Sequence, residues 1–228
     1  MEISLIIPTL NAGASIGHLL SRLFSQDIGF SEIIIIDSSS EDDTVKIARG
    51  FGIRTIVIPR HTFNHGKTRN IAALEAKGDV LLFMTQDAMP ADNTLVRKLT
   101  VPLERPDVAA TYGRQIPRSG ASPVEAFARY FNYPDERSCK GSEDLEKHGI
   151  KTIFFSNVCS SIKKELFMKV GMFHEGIRTN EDMLIAAEFI AHGYKIAYVP
   201  EARVVHSHNY SLPDQFRRYY NIGWSIKK

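Results

Sequence analysis

Between residues 3 and 114, short runs rich in Ile, Val and Leu alternate with segments of helical period, and this alternation restricts the fold more than any other feature. ISLIIP leads into a helical stretch ending near Gln26, EIIIID into one from Asp42 to Arg49, RTIVIP into one from Lys67 to Lys77, and DVLLFMT into one from about Asp92 to Thr100. Near-continuous apolar strands bury both faces, and strand, helix, strand order requires right-handed crossovers. An α/β fold is predicted, with a mostly parallel central sheet and helices on both faces.

Punctuation supports this division. Ser39 or Ser40 ahead of EDDTVKIA is expected to cap a helix whose first turn is acidic, and Gly50 and Gly52 to end it. After Ala109-Ala110-Thr111-Tyr112-Gly113 the alternation weakens, and the polar, aperiodic residues 134 to 150 are expected to form a mobile loop. TIFFSNVCSS reads as a strand, KKELFMKVG as a short helix ended by Gly171, and NEDMLIAAEFIAHG as an amphipathic helix ended by Gly193. The chain closes on FRRYYNIGWSIKK, a basic and aromatic helical pattern with no C-cap, so it is expected to be cut short of a longer one. One domain is predicted, with halves 1–114 and 115–212 and an amphipathic segment 213–228.

Composition narrows the function. The 28 basic and 26 acidic residues leave a net charge of +2, which offers no bulk attraction for nucleic acid, and no nucleic-acid partner is expected. Two cysteines, Cys139 and Cys159, are too few for a disulfide framework and lack zinc-site spacing, so a reducing, cytoplasmic compartment is expected. MEISLIIPTL carries no basic leader and too short an apolar run to span a membrane; it reads as the first strand.

Ligands of an open α/β sheet bind beyond the carboxyl ends of its strands. Four polar motifs fall there or open the next helix: Pro8-Thr9-Leu10-Asn11, Asp37-Ser38-Ser39-Ser40, His65-Gly66-Lys67-Thr68-Arg69-Asn70 and Thr85-Gln86-Asp87-Ala88. Singly, Asn11, Ser38 and Ser39 read as turn or cap residues. Together the motifs favour a ligand. Neither GxGxxG nor GxxxxGK[ST] is present, so another device must hold any nucleotide. Asp37 at a strand end can accept from a pyrimidine imide or a ribose hydroxyl, and Lys67 and Arg69 near a helix start can neutralise phosphates. Asp87, a lone carboxylate after the apolar run Leu81-Leu82-Phe83-Met84, suits a divalent cation bridging a diphosphate.

The order of these pieces resembles the family 2 nucleotide-sugar glycosyltransferases, of GT-A fold, from IIPTLNAG through IDSSSEDDT and TQDA to NEDMLIAAEFIAHGYKIAYVPEARVVHSH. FNHGKTRN, TQDAMP, ATYGRQIP, FNYP, FFSNVCS and HSHNYS are similar to the bacterial rhamnosyltransferase branch, which builds O-antigen and other surface polysaccharides from dTDP-L-rhamnose. The resemblance implies an inverting, Mg2+- or Mn2+-dependent transferase. It makes Asp37 the nucleobase-binding acid with Arg69 beside the base, places Thr9, Asn11 and Gln86 around the nucleotide, and assigns Asp87 to the metal-ligating end of a DXD motif. That motif is here Thr85-Gln86-Asp87, without its first aspartate. A second ligand is implied at His206 or His208.

Glu181-Asp182 matches the family's acidic pair, with Asp182 as the base that takes the acceptor hydroxyl proton in a single displacement. Both also suit a helix N-terminus by charge alone. Arg114, Tyr130, Asn132, Tyr133 and Asn157 fall where the resemblance places the sugar and acceptor floor, while Phe131, Phe154 and Phe155 read as core aromatics. The tail, with Arg217, Arg218, Tyr219, Tyr220, Trp224, Lys227 and Lys228, suits an interfacial helix at the inner leaflet, near a glycan or lipid-linked acceptor. It equally suits a helix docked on the domain or paired in a homodimer. A UDP-hexose donor, since uracil shares the imide edge of thymine, and a catalytically silent binding module are the alternatives.

Overall fold

A computed structural model describes residues 1–208 and 210–226. The first half runs β1 (Ile3–Thr9), α1 (Ile16–Phe24), β2 (Glu32–Asp37), α2 (Thr44–Gly50), β3 (Arg54–Val57), α3 (His65–Glu75), β4 (Val80–Met84), β5 (Met89–Pro90) and α4 (Leu95–Thr100). The second runs β6 (Val108–Ile116), α5 (Pro123–Asn132), β7 (Ser138–Lys140), α6 (Leu145–His148), β8 (Cys159–Lys163), α7 (Lys164–Lys169), α8 (Glu181–Ala191), β9 (Lys195–Val205) and α9 (Leu212–Ile226).

The predicted parallel order holds where the alternation was clearest: β3, β2, β1 and β4 lie side by side with parallel pairings throughout. Beyond β4 the sheet is mixed rather than mostly parallel. β8 enters antiparallel between β4 and β6, β9 runs parallel to β6, and β5 and β7 pair antiparallel with β9. Antiparallel neighbours need no crossover helix between them, so strand and helix alternation along the chain does not reveal them.

Period-two side chains divide the core in two. Ile3, Leu5, Ile7, Ile33 and Ile35 pack with Leu19, Leu20 and Leu23 of α1 on one face. Ile6, Ile34, Ile36 and Phe83 pack with Ala72 and Ala73 of α3 and Ile185 and Phe189 of α8 on the other. Phe83 meets Phe167 and Phe173 at centroid distances of 5.9 and 5.2 Å. Truncating such a ring to alanine costs about 3–5 kcal/mol.

Helix ends follow local chemistry. Asn64 caps α3, its side-chain oxygen accepting from the backbone N–H groups of Gly66 and Lys67 at 3.0 Å each. Gly66 lets α3 approach the 173–174 segment, since a Cβ there would lie 2.5 Å from the carbonyl oxygen of His174. Ser39 and Ser40 do not cap α2. Ser40 folds back onto Asp37, and Ser39, at φ 59°, donates to the carbonyl of Ile58. Residues 134 to 150 are not one loop: they contain β7 and α6, and β7 extends the sheet at β9.

The β6–β9 pairing slips between Gly113 and Arg114, whose partners are Val199 and Arg203. This irregularity aligns Ile116 with Val205, and β5 pairs Met89 with Val205 from the other side. Asp87 and His206 are therefore delivered to the same corner by strands that meet only in the folded sheet.

Candidate active site

Two neighbouring cavities open at the carboxyl ends of β1, β2 and β4 and share His65, Arg69 and Thr85. The first, of about 370 Å³, is lined by Thr9, Ser38, Arg60, Phe63 and Gln86 among others. The second, of about 330 Å³, is lined by Asp87, Asn157, Glu181, Asp182, His206 and His208 among others. Acids remote along the chain thus converge, with one exception.

The exception is Asp37. It is 0% exposed and lines neither cavity. Its Oδ1 accepts from the Ser40 backbone N–H at 2.7 Å, and its Oδ2 accepts from the Ser40 and Thr9 hydroxyls at 2.6 and 2.7 Å. These donors offset the cost of burying the carboxylate and engage both of the oxygens expected to meet a nucleobase. The neighbouring Ser38 reaches the cavity instead, and its buried hydroxyl has no partner among the described residues. Asn11 is exposed at φ 50° and lies outside both cavities; its side-chain oxygen accepts from the Glu41 backbone N–H at 2.9 Å. Gln86 pairs with the Leu10 backbone, accepting from its N–H at 2.7 Å and donating to its carbonyl at 3.1 Å, so it ties β1 to β4 at the cavity wall. Lys67 points to the surface and lines neither cavity.

Arg69 faces inward. Its guanidinium donates to Glu181 at 3.1 Å and to the His65 carbonyl at 3.0 Å, and its Nε is buried without a partner among the described residues. It links α3 to the start of α8 rather than reaching freely toward a base. Glu181 also accepts from the Asn157 amide at 3.4 Å. Asp182 accepts from the backbone N–H groups of Asn157 at 3.3 Å and Met183 at 2.9 Å. Burial raises the Asp182 pKa, the Glu181 charge adds to the rise, and the Asn157 N–H and Arg69 offset part of it, leaving the group at about 7. A carboxyl poised there can exchange a proton near neutral pH.

At the other end of this cavity Asp87 Oδ1 lies 3.4 Å from His206 Nε2, and Asp87 Oδ2 lies 3.4 Å from His208 Nε2. The choice between the two histidines dissolves, because both converge on the carboxylate. One ligand atom from each of the three lies within 4.8 Å of the others. Burial acts to raise the Asp87 pKa, but the hydrogen bond and charge of His206, with lesser help from Thr85 and His208, hold it far below the usual carboxylate range. Burial lowers the His208 pKa, with the His206 charge next, and Asp87 works against both. An ionised carboxylate beside imidazoles is a donor set that fits a divalent cation.

The expected acceptor residues separate. Asn157 joins the site as the hub of the acidic pair, and Ser160 donates to its side-chain oxygen at 3.0 Å. Tyr133 lines the cavity, with its hydroxyl accepting from Gln115. Arg114 lines neither cavity; it donates to the Tyr133 carbonyl at 3.1 Å and pairs with Asp135, bracing that segment. Phe155 is a core ring that, like Phe154, borders the cavity, while Phe131 is exposed and so is not a core residue. Tyr130 is exposed and absent from the cavity lining, and Asn132 donates to the Ala128 carbonyl at 2.9 Å. The tail is docked along one side. Gln215 of α9 donates to Glu125 at 3.3 Å, Asn180 donates to the Ile222 carbonyl at 3.1 Å, and Arg218 lines the acidic cavity. Lys227 and Lys228 lie outside the described residues.

Sequence reasoning missed Gln115, Arg129 and Glu125, which stand behind the histidines, and Arg60 and Phe63 at the first cavity. The Glu125–Arg129 spacing of one helical turn was a readable signal for a paired couple. Its neighbour Gln115 lies within ATYGRQIP, but nothing in that motif marked it as a partner of the histidines.

Comparison with known proteins places the chain in a family. The pattern of "Glycosyl transferase family 2" matches residues 4–171. O-antigen chain rhamnosyltransferase RfbN of Salmonella typhimurium is 41% identical over 225 residues, covering 98% of this chain and 72% of that protein. O-antigen chain rhamnosyltransferase WbaN of Salmonella anatum is 41% identical over 222 residues, covering 96% and 70%. Among solved structures, mannosyltransferase PcManGT from Pyrobaculum calidifontis, in complex with GDP-Man and Mn2+, superposes with a TM-score of 0.68 at 19% identity. It covers 90% of this chain, which spans 56% of that one. S. aureus TarS 1-349 in complex with UDP gives 0.71 at 19% identity, covering 90% and 59%. At these identities the structures speak for the GT-A fold. Sequence, fold and the position of the cavities beyond the strand ends agree that the chain belongs to glycosyl transferase family 2.

Proposed function

We propose that the protein is an inverting rhamnosyltransferase that moves L-rhamnose from dTDP-L-rhamnose to a growing bacterial surface glycan or its lipid-linked precursor. The observation that carries the reading is one cavity lined both by the Asp87, His206 and His208 donor set and by a carboxyl, Asp182, with a pKa near 7. Relatives that are 41% identical over nearly the whole chain are O-antigen chain rhamnosyltransferases, which supports the donor and the glycan class.

The nucleotide is assigned to the cavity bearing Thr9, Ser38, Gln86 and Arg69, with Asp37 shaping its wall from behind and Phe63 and Arg60 at its rim. Asn11 and Lys67 then act outside it, Asn11 by holding the loop after β2. The diphosphate extends past Arg69 toward Asp87, His206 and His208. Asp87, His206 and His208 would hold a divalent cation there, which would supply positive charge to offset that on the leaving diphosphate. Two imidazole nitrogens favour Mn2+ over Mg2+, because Mg2+ prefers an all-oxygen shell.

Asp182 is the base. Its ionised carboxylate takes the proton of the acceptor hydroxyl as that oxygen bonds to the anomeric carbon. The bond from that carbon to the diphosphate oxygen breaks on the opposite face, and dTDP leaves with the electron pair. Asn157 orients Asp182 through its backbone N–H and Glu181 through its amide. Residues 1–114 then serve mainly as the donor half and 115–212 as the catalytic and acceptor half.

Among the described residues no helix is long and apolar enough to cross a membrane. Leu212, Phe216, Tyr220 and Trp224 recur every fourth residue along α9 and are exposed, beside Arg217. That face suits peripheral attachment to an anionic leaflet carrying a lipid-linked acceptor.

Incubation with Mn2+ and dTDP-L-rhamnose, UDP-glucose, UDP-galactose or GDP-mannose tests the reading. Release of dTDP and free rhamnose in the absence of acceptor is expected. Turnover of a UDP-hexose instead moves the donor assignment, and binding without turnover of any donor makes the chain a silent module.

A further inference from the structure

Gln115 is the penultimate residue of β6, with its amide fully engaged and only 2% of its surface exposed. Its nitrogen donates to the Tyr133 hydroxyl at 2.5 Å and to the Ser156 hydroxyl at 3.0 Å. Its oxygen accepts from the Arg129 guanidinium at 2.6 Å and faces His206 Nδ1 at 2.8 Å. Arginine only donates, so the amide oxygen, not the nitrogen, must face Arg129. The same oxygen has no proton to offer His206. The imidazole must therefore donate through Nδ1; Nε2 carries a proton toward Asp87 only in the imidazolium, and the neutral ring that can ligate a cation presents Nε2 as a lone pair.

Arg129 is itself fixed. Its Nε donates to Glu125 at 2.8 Å, and the two side chains are 13% and 3% exposed. Glu125 also accepts from the His208 backbone N–H at 3.3 Å and from Gln215 of α9 at 3.3 Å. One buried chain of hydrogen bonds thus sets the ring of the first histidine and the backbone of the second.

We propose that Gln115 is a positioning residue of the cation site. It selects the His206 tautomer whose Nε2 is free to ligate, and Arg129 and Glu125 hold it in register. The assignment rests on the reading of Asp87, His206 and His208 as metal ligands. The alternative is that Gln115 only fills polar space between Tyr133 and Ser156, in which case any folded replacement leaves the cation site intact.

Mn2+ binding to the whole chain, followed by calorimetry and by electron paramagnetic resonance with and without dTDP, separates the two. Gln115→Leu removes the acceptor and is expected to weaken Mn2+ binding about 10–100-fold, the usual effect of losing an outer-shell partner. Gln115→Glu keeps an acceptor for both Arg129 and His206 while the Tyr133 and Ser156 hydroxyls turn to donate, and it is expected to retain binding within a few-fold. Nitrogen-15 spectra of the metal-free wild-type protein, at a pH where His206 is neutral, should report a proton on Nδ1, a measurement that does not depend on any variant folding. A folded Gln115→Leu that binds Mn2+ like the wild type, or a His206 proton on Nε2, overturns the proposal and leaves the metal reading standing. A wild-type chain that binds no Mn2+ overturns both.

Discussion

Arg69 and Glu181 form an ion pair 3.1 Å long whose side chains are 5% and 7% exposed, joining the helix that follows β3 to the first residue of α8. Removing one partner of so buried a pair strands the other charge. Glu181→Ala is expected to destabilise the fold by ~3–5 kcal/mol, read as a lower urea midpoint at unchanged slope. Arg69→Met combined with Glu181→Leu should recover much of that loss, because the desolvation cost disappears with both charges. A single variant as stable as the wild type would show that the pair does not hold α8 in place.

Asp182 predicts the pH response of turnover. The base works ionised, so donor transfer at saturating substrate should fall as pH drops through about 7. The Glu181 charge helps to raise the Asp182 pKa. Glu181→Gln should therefore move the acid limb of the rate profile to lower pH, provided the protein stays folded at the assay temperature. A limb that does not move would remove the coupling between the two acids.

The same shift makes a stability prediction of opposite sense to activity. The folded pKa of Asp182 lies above the unfolded value of 3.8, so its linked stability is present below pH 3.8 and is lost as pH rises through about 7. Asp182→Asn should abolish transfer yet stabilise the fold at pH 8 by roughly 1–3 kcal/mol, with the gain fading toward pH 4. Thermal unfolding of both proteins at the two pH values checks it; an asparagine variant less stable at pH 8 contradicts the assigned shift.

Cation dependence follows from the Asp87, His206 and His208 donor set. Activity should vanish with a chelator and return with Mn2+ more readily than with Mg2+. Asp87→Ala and His208→Ala should each raise the Mn2+ concentration needed for half-maximal turnover by 10-fold or more, since each removes a direct ligand. Equal metal dependence in Asp87→Ala would remove the cation from this corner.

The outer face of α9 gives a binding prediction. Phe216 and Trp224 are 74% and 54% exposed. Replacing both with serine should reduce flotation with vesicles containing anionic lipid while leaving donor hydrolysis in solution unchanged. If the wild type does not float but sediments as a dimer that the substitutions dissociate, the face pairs with a second copy instead.

Legibility in the sequence tracked the range of the interactions involved. The strands β1, β2 and β4 were plain because each is an uninterrupted apolar run, and α8 because its acidic start and terminal glycine are local signals. Asp87, Asp182, Asn157 and both histidines reached one cavity as their motif positions suggested. Asp37 and Arg69 did not behave as free ligands. Asp37 is consumed by Thr9 and Ser40, and Arg69 by Glu181, and no pattern along the chain reveals that a charged group already has a partner.

Hydrophobic periodicity settled the α/β class and the parallel first half, because it depends on neighbours within a few residues or one turn, while the family was legible only as a resemblance of motifs spread along the chain. The mixed second half of the sheet, the meeting of Asp87 with His206, and the hydrogen-bonded chain from Glu125 through Arg129 and Gln115 arose only on folding. They depend on the β6–β9 slip and the short β5 pairing, which bring distant residues within hydrogen-bond reach, and on burial, which decides which polar groups must satisfy one another.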